Sequence, residues 1–224
     1  MTETQSDVDR FLQQSTFGDD PYEAFIEGSR AAGLPEIQVS AVFGRALELL
    51  VQLTHASLVL EVGTLGGYSA AWMARALPLG GRVITLEIDP HHADVAAENL
   101  RSVGLGDRVE IRVGAAVDSL AAMESDPTIA KKVDLAFIDA DKANNPRYVG
   151  FAVDLVRPGG LIIVDNVVRN GQVLNDASDD PTILGSRGAL ELLGSFPQLT
   201  ATALQTVGVK GWDGFAIALV REGA

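Results

Sequence analysis

Leu58-Val-Leu-Glu-Val-Gly-Thr-Leu-Gly-Gly-Tyr-Ser69 is the stretch that decides the fold. Leu58 to Val62 is apolar and β-branched, a glycine-rich turn follows, and a helical pattern begins near Tyr68. Strand, turn and helix in that order open a nucleotide-binding α/β unit: glycines let backbone approach a ligand, and a helix N-terminus favours negative charge. Downstream, Val83-Ile-Thr-Leu-Glu87 reads as a second buried strand that finishes on an acid. Glu87 falls about twenty residues past the glycines, where a carboxylate would meet both hydroxyls of a ribose. These features imply a nucleoside-containing ligand, and a dehydrogenase would show them too.

Outward from that unit the pattern alternates strand and helix. Strand 58–62 leads to helix 67–77, strand 82–87 to a helix running from Asp89-Pro90 to near Gly104, and strand 108–113 to a short helix around 115–123. Strand 133–138 leads to a helix around 145–156. Strand 161–165, after an Arg157-Pro-Gly-Gly160 turn, leads through a loop to a helix around 181–195. Two β-rich runs, Thr200 to Val207 and Phe215 to Val220, flank Gly208-Val-Lys-Gly-Trp-Asp-Gly214 and predict a closing antiparallel hairpin. Upstream, helical spacing covers Asp7 to Phe17, Asp20-Pro21 opens a helix through about Ala32, and a third helix starts at Ser40. These helices would cover the sheet, roof a site or build an oligomer interface. The expectation is one α/β domain over residues 1–224, with N-terminal helices over 1–56 and the core over 57–224.

The chain has 224 residues, enough for a three-layer core, and a formal net charge of -13 spread along its length. That balance disfavours extended contact with nucleic acid or an anionic membrane. With no cysteine, disulfides, thiolate zinc sites and cysteine nucleophiles are excluded. Met1-Thr-Glu-Thr-Gln-Ser-Asp7 is polar and acidic, unlike a signal peptide, and no apolar run reaches membrane-span length, so a cytoplasmic protein is expected.

In an open parallel sheet ligands sit beyond the carboxyl ends of the strands, where strand order reverses. Two acid clusters fall at such ends, Phe137-Ile-Asp-Ala-Asp-Lys142 and Ile162-Ile-Val-Asp-Asn166. If those strands are neighbours, Asp139, Asp165 and Asn166 would supply three oxygen ligands to a hard cation, with magnesium first and calcium or manganese as substitutes. Acids at strand ends also cap helices, and the metal reading rests on having both clusters beside the glycine turn. Lys142, three residues past Asp139, would serve as general base if partly desolvated; the plain alternative is a surface lysine pairing with Asp141. His91 and His92 read as solvated, Trp72 and Met73 as core, and Tyr68 as packing beside a cofactor.

These motifs resemble the metal-dependent O-methyltransferases of the catechol and caffeoyl-CoA type, which use S-adenosylmethionine (SAM). The matching residues are Glu61-Val-Gly-Thr-Leu-Gly-Gly-Tyr-Ser69, Leu86-Glu-Ile-Asp89, Gly114-Ala-Ala116, Ile138-Asp-Ala-Asp-Lys142, Pro158-Gly-Gly160, Asp165-Asn166 and Trp212-Asp-Gly214, with Ile37-Gln-Val-Ser40 as the segment before the sheet. The resemblance implies a Rossmann-like class I SAM methyltransferase fold, a seven-stranded mostly parallel sheet with a C-terminal antiparallel hairpin. It also implies that Val39, Glu61, Gly63, Thr64 and Ser69 line the methionine end of SAM. Glu87 would hold the ribose, Ala116 would pack on adenine, and Asp139 would lie near SAM. Asp139, Asp165 and Asn166 would bind the divalent metal, Lys142 would take the acceptor's proton, and Asn170 would lie near the substrate. The implied acceptor is a small catechol-like phenol, and the implied assembly is a homodimer.

The chain departs from the family pattern in places. Asn145-Pro146 follows Asn144 where the family has Asn-Tyr. Arg169 replaces a tryptophan in Asp165-Asn-Val-Val-Arg-Asn-Gly171, which would add a cation to the pocket and favour an acidic or phosphate-bearing acceptor, unless Arg169 faces solvent. Ala41-Val-Phe43 stands where the family often has proline and an acid. The rival readings are a transfer-RNA hydroxyuridine O-methyltransferase of the same family, which the acidic balance opposes, a nicotinamide-dependent oxidoreductase, and a non-catalytic SAM-binding protein.

Overall fold

The structure, a computed structural model, describes residues 3–222. Helices α1 (Glu3–Thr16), α2 (Glu23–Ala31) and α3 (Ala41–Leu53) precede a run of β1 (Leu58–Val62), α4 (Tyr68–Ala76), β2 (Arg82–Glu87), α5 (Pro90–Ser102), β3 (Val109–Val113) and α6 (Ala116–Glu124). Then come β4 (Val133–Ile138), α7 (Asn145–Leu155), β5 (Val156–Asp165), α8 (Pro181–Ser195), β6 (Leu199–Gly208) and β7 (Gly211–Val220). The strands form one seven-stranded sheet in the order β3-β2-β1-β4-β5-β7-β6, parallel from β3 to β5 and antiparallel through β7 and β6. Strand order reverses between β1 and β4, so the glycine turn after β1 and the acids after β4 share one crevice.

Alternation along the strands builds a core on each face. Leu58, Leu60 and Val62 of β1 and Ala136 and Ile138 of β4 meet Leu120 of α6, Val149 of α7 and Ala189 of α8. On the other face Val59, Leu135 and Phe137 meet Leu47 of α3, Trp72 of α4, Leu100 of α5 and Phe25 of α2. Burying each large apolar side chain such as Phe137 or Leu60 contributes about 1.5–3 kcal/mol. Among the described residues no helix is long and apolar enough to cross a membrane.

Several boundaries differ from the sequence expectation: α1 starts at Glu3, and α2 starts at Glu23, so Asp20-Pro21 precedes that helix and Asp20 accepts from Tyr22 N (2.8 Å) in the connection. Arg157-Pro-Gly-Gly160 is a bulge within β5 and does not turn ahead of it: Val156 pairs Val133 and Leu161 pairs Leu135, so four residues face the single Asp134. Arg157 folds onto the Asp134 carboxylate, which also accepts from the backbone N–H of Ser57 (2.7 Å) and Leu58 (2.8 Å). Burial opposes the charge, but the Leu58 amide, Arg157 and the Ser57 amide outweigh it and hold the Asp134 carboxyl below its usual range. The hairpin is also longer than expected. β6 and β7 pair down to Gly208 and Gly211, leaving only Val209-Lys210 to turn, so Trp212 and Asp213 lie in a strand. Asp9 of α1 accepts from Val209 N (2.6 Å) and ties the first helix to that turn.

Candidate active site

Gly63 follows β1 with φ of +102°, and a Cβ there would stand 2.2 Å from the Asp139 carbonyl oxygen. The close approach is locked by Gly63 N donating to Leu86 O (3.0 Å) and Asp139 N donating to Val62 O (2.9 Å). Gly63→Ala therefore meets an unfavourable backbone region, about 1–2 kcal/mol, and a backbone clash besides. The expected result is a lowered melting temperature, checked by calorimetry.

Under the turn lies a closed polar cluster. Glu61, fully buried on β1, accepts from Ser69 Oγ and Thr85 Oγ1, each at 2.6 Å, and Thr85 Oγ1 is 2.6 Å from Thr64 Oγ1. Burial pushes the Glu61 carboxyl up to about 8; the two hydroxyls pull it down, and the charges of Asp139 and Glu87 add to the rise. Glu87, at the end of β2, accepts from Leu65 N (2.8 Å), Thr64 N (3.2 Å) and Asp89 N (3.0 Å). Each carboxylate oxygen has two lone pairs, so Glu87 keeps capacity for a ligand hydroxyl. His92, expected on the solvated surface, instead sits with Nδ1 3.6 Å from Glu87 Oε1. Tyr68 O–H donates to Asp20 (2.5 Å), which holds the α1–α2 connection against the glycine turn.

The acids after β4 and β5 come together, since those strands are neighbours. Lys142 Nζ lies 2.6 Å from Asp139 Oδ1 with 11% of its side chain exposed, so it pairs with Asp139. Asp141 is taken by Tyr148 O–H (2.5 Å) and Asn144 Nδ2 (2.6 Å). Burial, then the Asp139 charge, push the Asp165 carboxyl well above the usual carboxylate range; the Asn166 amide and Lys142 pull it down, and Asp213 adds to the rise. Asn166 Nδ2 donates to Asp213 Oδ2 (3.3 Å), which leaves its Oδ1 as the free end. Among the described residues no three His, Cys, Asp or Glu side chains form a cluster that could hold a metal. The set here is two carboxylates and an amide oxygen, and its crowded negative charge fits a hard divalent cation.

A cavity of about 630 Å³ spans these groups, within the range of small-ligand sites. Val39, Gly63, Thr64, Ser69, Glu87, Ala116, Asp139, Lys142, Asn166, Arg169 and Asn170 all line it. Glu61 lies beneath its floor through Ser69. Asp165 instead lines an adjoining cavity of about 370 Å³ among α1, α3 and the hairpin, which shares Asn166 and Asp213 with the larger one. Asp213, to which the sequence motif assigns no role, accepts from Val168 N and Arg169 N (both 3.0 Å) and steadies Asn166. Tyr148 and Lys210 also reach the larger cavity, and no sequence pattern had marked them.

The O-methyltransferase family model matches residues 23–192. The chain is 50% identical over 216 residues to the catechol O-methyltransferase of Mycobacterium tuberculosis, covering 96% of both chains. It is 46% identical over 215 residues to that of Niastella koreensis, again covering 96% of both. It superposes on the crystal structure of the O-methyltransferase from Bacillus cereus in complex with SAH with a TM-score of 0.95 and 47% identity, covering 99% of this chain and 100% of that one.

Proposed function

We infer the reaction from one premise: this chain belongs to the O-methyltransferase family and is an enzyme of the catechol O-methyltransferase type. The proposed reaction is SAM-dependent, divalent-metal-dependent methylation of one hydroxyl of a small vicinal diol on an aromatic ring, carried out by residues 1–224 as one functional unit. The observation that carries this reading is the gathering of Asp139, Lys142 and Asn166 on one cavity with the glycine turn, and of Asp165 beside it.

Val39, Gly63, Thr64 and Ser69 would bind the methionine end of SAM, Glu87 the ribose hydroxyls, and Ala116 the adenine. Bound there, SAM supplies an electrophilic methyl group on a sulfonium. Asp139, Asp165 and Asn166 would hold the divalent cation, with magnesium first choice, and that cation supplies Lewis acidity toward the acceptor's hydroxyls. Lys142 Nζ would receive the hydroxyl proton. Methyl transfer consumes a cation and an anion together, so the chain's remaining task is to align the pair and exclude water. Ile37, Val39 and Leu86 line the cavity with apolar surface suited to that exclusion.

The test is methyl transfer from labelled SAM to a panel of catechols, with magnesium and with chelator. Transfer that chelator abolishes and magnesium restores is the expected result; transfer indifferent to chelator would remove the metal from the mechanism. Lys142→Met, which keeps the length and removes the base, is expected to lower kcat by roughly 10²–10⁴-fold with SAM affinity kept within about twofold. Full activity in that variant would take the proton transfer away from Lys142. A homodimer belongs to the same reading, with Val8 and Phe11 of α1, 50% and 68% exposed, as apolar contact residues. Light scattering checks it.

A further inference from the structure

We propose that Arg169 recognises an anionic substituent on the acceptor, so that catechols carrying a carboxylate are the preferred substrates. This deepens the vicinal-diol reading above and rests on it. Arg169 lines the larger cavity together with Lys142 and Asn166. Its Nε is buried without a hydrogen-bond partner among the described residues. A guanidinium keeps its charge at any ordinary pH, and a buried charged donor without a partner is costly. The carboxylates that share the cavity have other partners: Asp139 has Lys142, Asp141 has Tyr148 and Asn144, Asp213 has the backbone amides of Val168 and Arg169, and Glu87 has those of Thr64, Leu65 and Asp89. Asp180, near enough to feel the Arg169 charge, is engaged by Thr182 N and Oγ1 (both 2.8 Å), so Arg169 Nε is left for a ligand.

The backbone is arranged to present it. Arg169, Asn170 and Gly171 have successive φ values of +55°, +53° and +77°, a conformation disfavoured for the first two. The Asp213 carboxylate fastens the start of this run, and Gly171 packs so tightly on Trp212 that a Cβ would lie 2.8 Å from the indole. A cavity of about 630 Å³ that must also take the cofactor suits a compact carboxylate on the ring better than a nucleotide-sized anion. Planar guanidinium and carboxylate match in a paired hydrogen-bond geometry that a neutral amide cannot reproduce.

The experiment compares kcat/KM for 3,4-dihydroxybenzoate and 3,4-dihydroxybenzamide, with magnesium and SAM, in the wild-type chain and in Arg169→Leu. The substitution is expected to lower kcat/KM for the benzoate by roughly 10- to 100-fold, mainly through KM, and to leave the benzamide within about threefold. Equal losses on both acceptors, or no loss on the benzoate, would overturn the assignment. If Arg169→Leu does not fold, Arg169→Gln keeps polarity at the Nε position and removes the charge, and the same ratio is read from it. Wild-type turnover of the benzamide but not the benzoate would sink this proposal alone; turnover of neither would sink the vicinal-diol reading with it.

Discussion

Asp165→Ala is expected to abolish metal-dependent methyl transfer, by roughly 10³-fold or more, and to raise the thermal stability of the unliganded protein. The first effect follows from removing one of two carboxylates in a proposed donor set that has only an amide oxygen besides. The second follows from the neighbourhood: burial, Asp139 and Asp213 all work against the charged form of Asp165. Taking that side chain away relieves repulsion, while the acceptor it offers to Asn166 N (2.8 Å) is the smaller loss. Labelled-SAM turnover and calorimetry on the same sample read both effects. A variant that kept full activity would remove Asp165 from the metal site. One that lost activity together with stability would mark Asp165 as a structural acid.

Glu61→Gln is expected to stabilise the unliganded chain and weaken its hold on SAM, both with a defined pH dependence. The folded carboxyl is pushed up to about 8 by burial, against an ordinary value of 4.5. Below about pH 4.5 the group is neutral in folded and unfolded chains, and no penalty exists. Between about 4.5 and 8 the unfolded chain ionises while the folded chain keeps its proton, so stability falls as pH rises, and above about 8 the penalty is complete. At pH 7 the displacement amounts to about 3 kcal/mol, the upper limit of what glutamine restores. Ser69 and Thr85 hydroxyls can turn to serve the amide. A carboxylate under the cavity floor favours the ammonium and sulfonium of a bound SAM, so binding would expel the Glu61 proton below pH 8. Below the titration of SAM's own amino group, at about pH 8, wild-type affinity should rise with pH, while that of Glu61→Gln should be lower by roughly tenfold and flat. Calorimetric titration at pH 5.5 and pH 7 measures this. Equal slopes in the two proteins would show that Glu61 exchanges no proton on binding.

The fold was legible because its periodicities are strong. Leu58 to Val62, Val83 to Glu87 and Val133 to Ile138 are apolar runs closed by glycine or acid, and each became a parallel strand. Ser40, Asp89 and Asp180 accept backbone N–H bonds at helix starts, as their residue types foretell. The hairpin length was not legible, because glycines at 208, 211 and 214 offer several places to turn. The register is fixed by ladder pairing and by Gly211 at φ of +91°. Arg157-Pro-Gly-Gly160 carries every mark of a turn, and only its contact with Asp134, 23 residues upstream, makes it a bulge. Within the site, residues at strand ends were found from position alone. Asp213 escaped because its partners lie 44 to 47 residues away, and His92 because helix α5 brings it back over Glu87. Long-range contacts leave no trace in local spacing.

The Asp134 clasp lies at the amino ends of β1 and β4, at the opposite pole of the sheet from the cavity. There one carboxylate gathers the Ser57 and Leu58 amides and Arg157, and Gly160 has no room for a Cβ, which would stand 2.7 Å from the Asp134 carbonyl. The two poles can therefore evolve at different tempos. Positions 37, 38, 169 and 170, on the cavity rim, can drift in search of new acceptors while Ser57, Asp134, Arg157 and Gly160 keep the chain foldable. A library that diversifies the first set and freezes the second should yield many folded proteins with altered selectivity, whereas the reverse library should yield mostly aggregates.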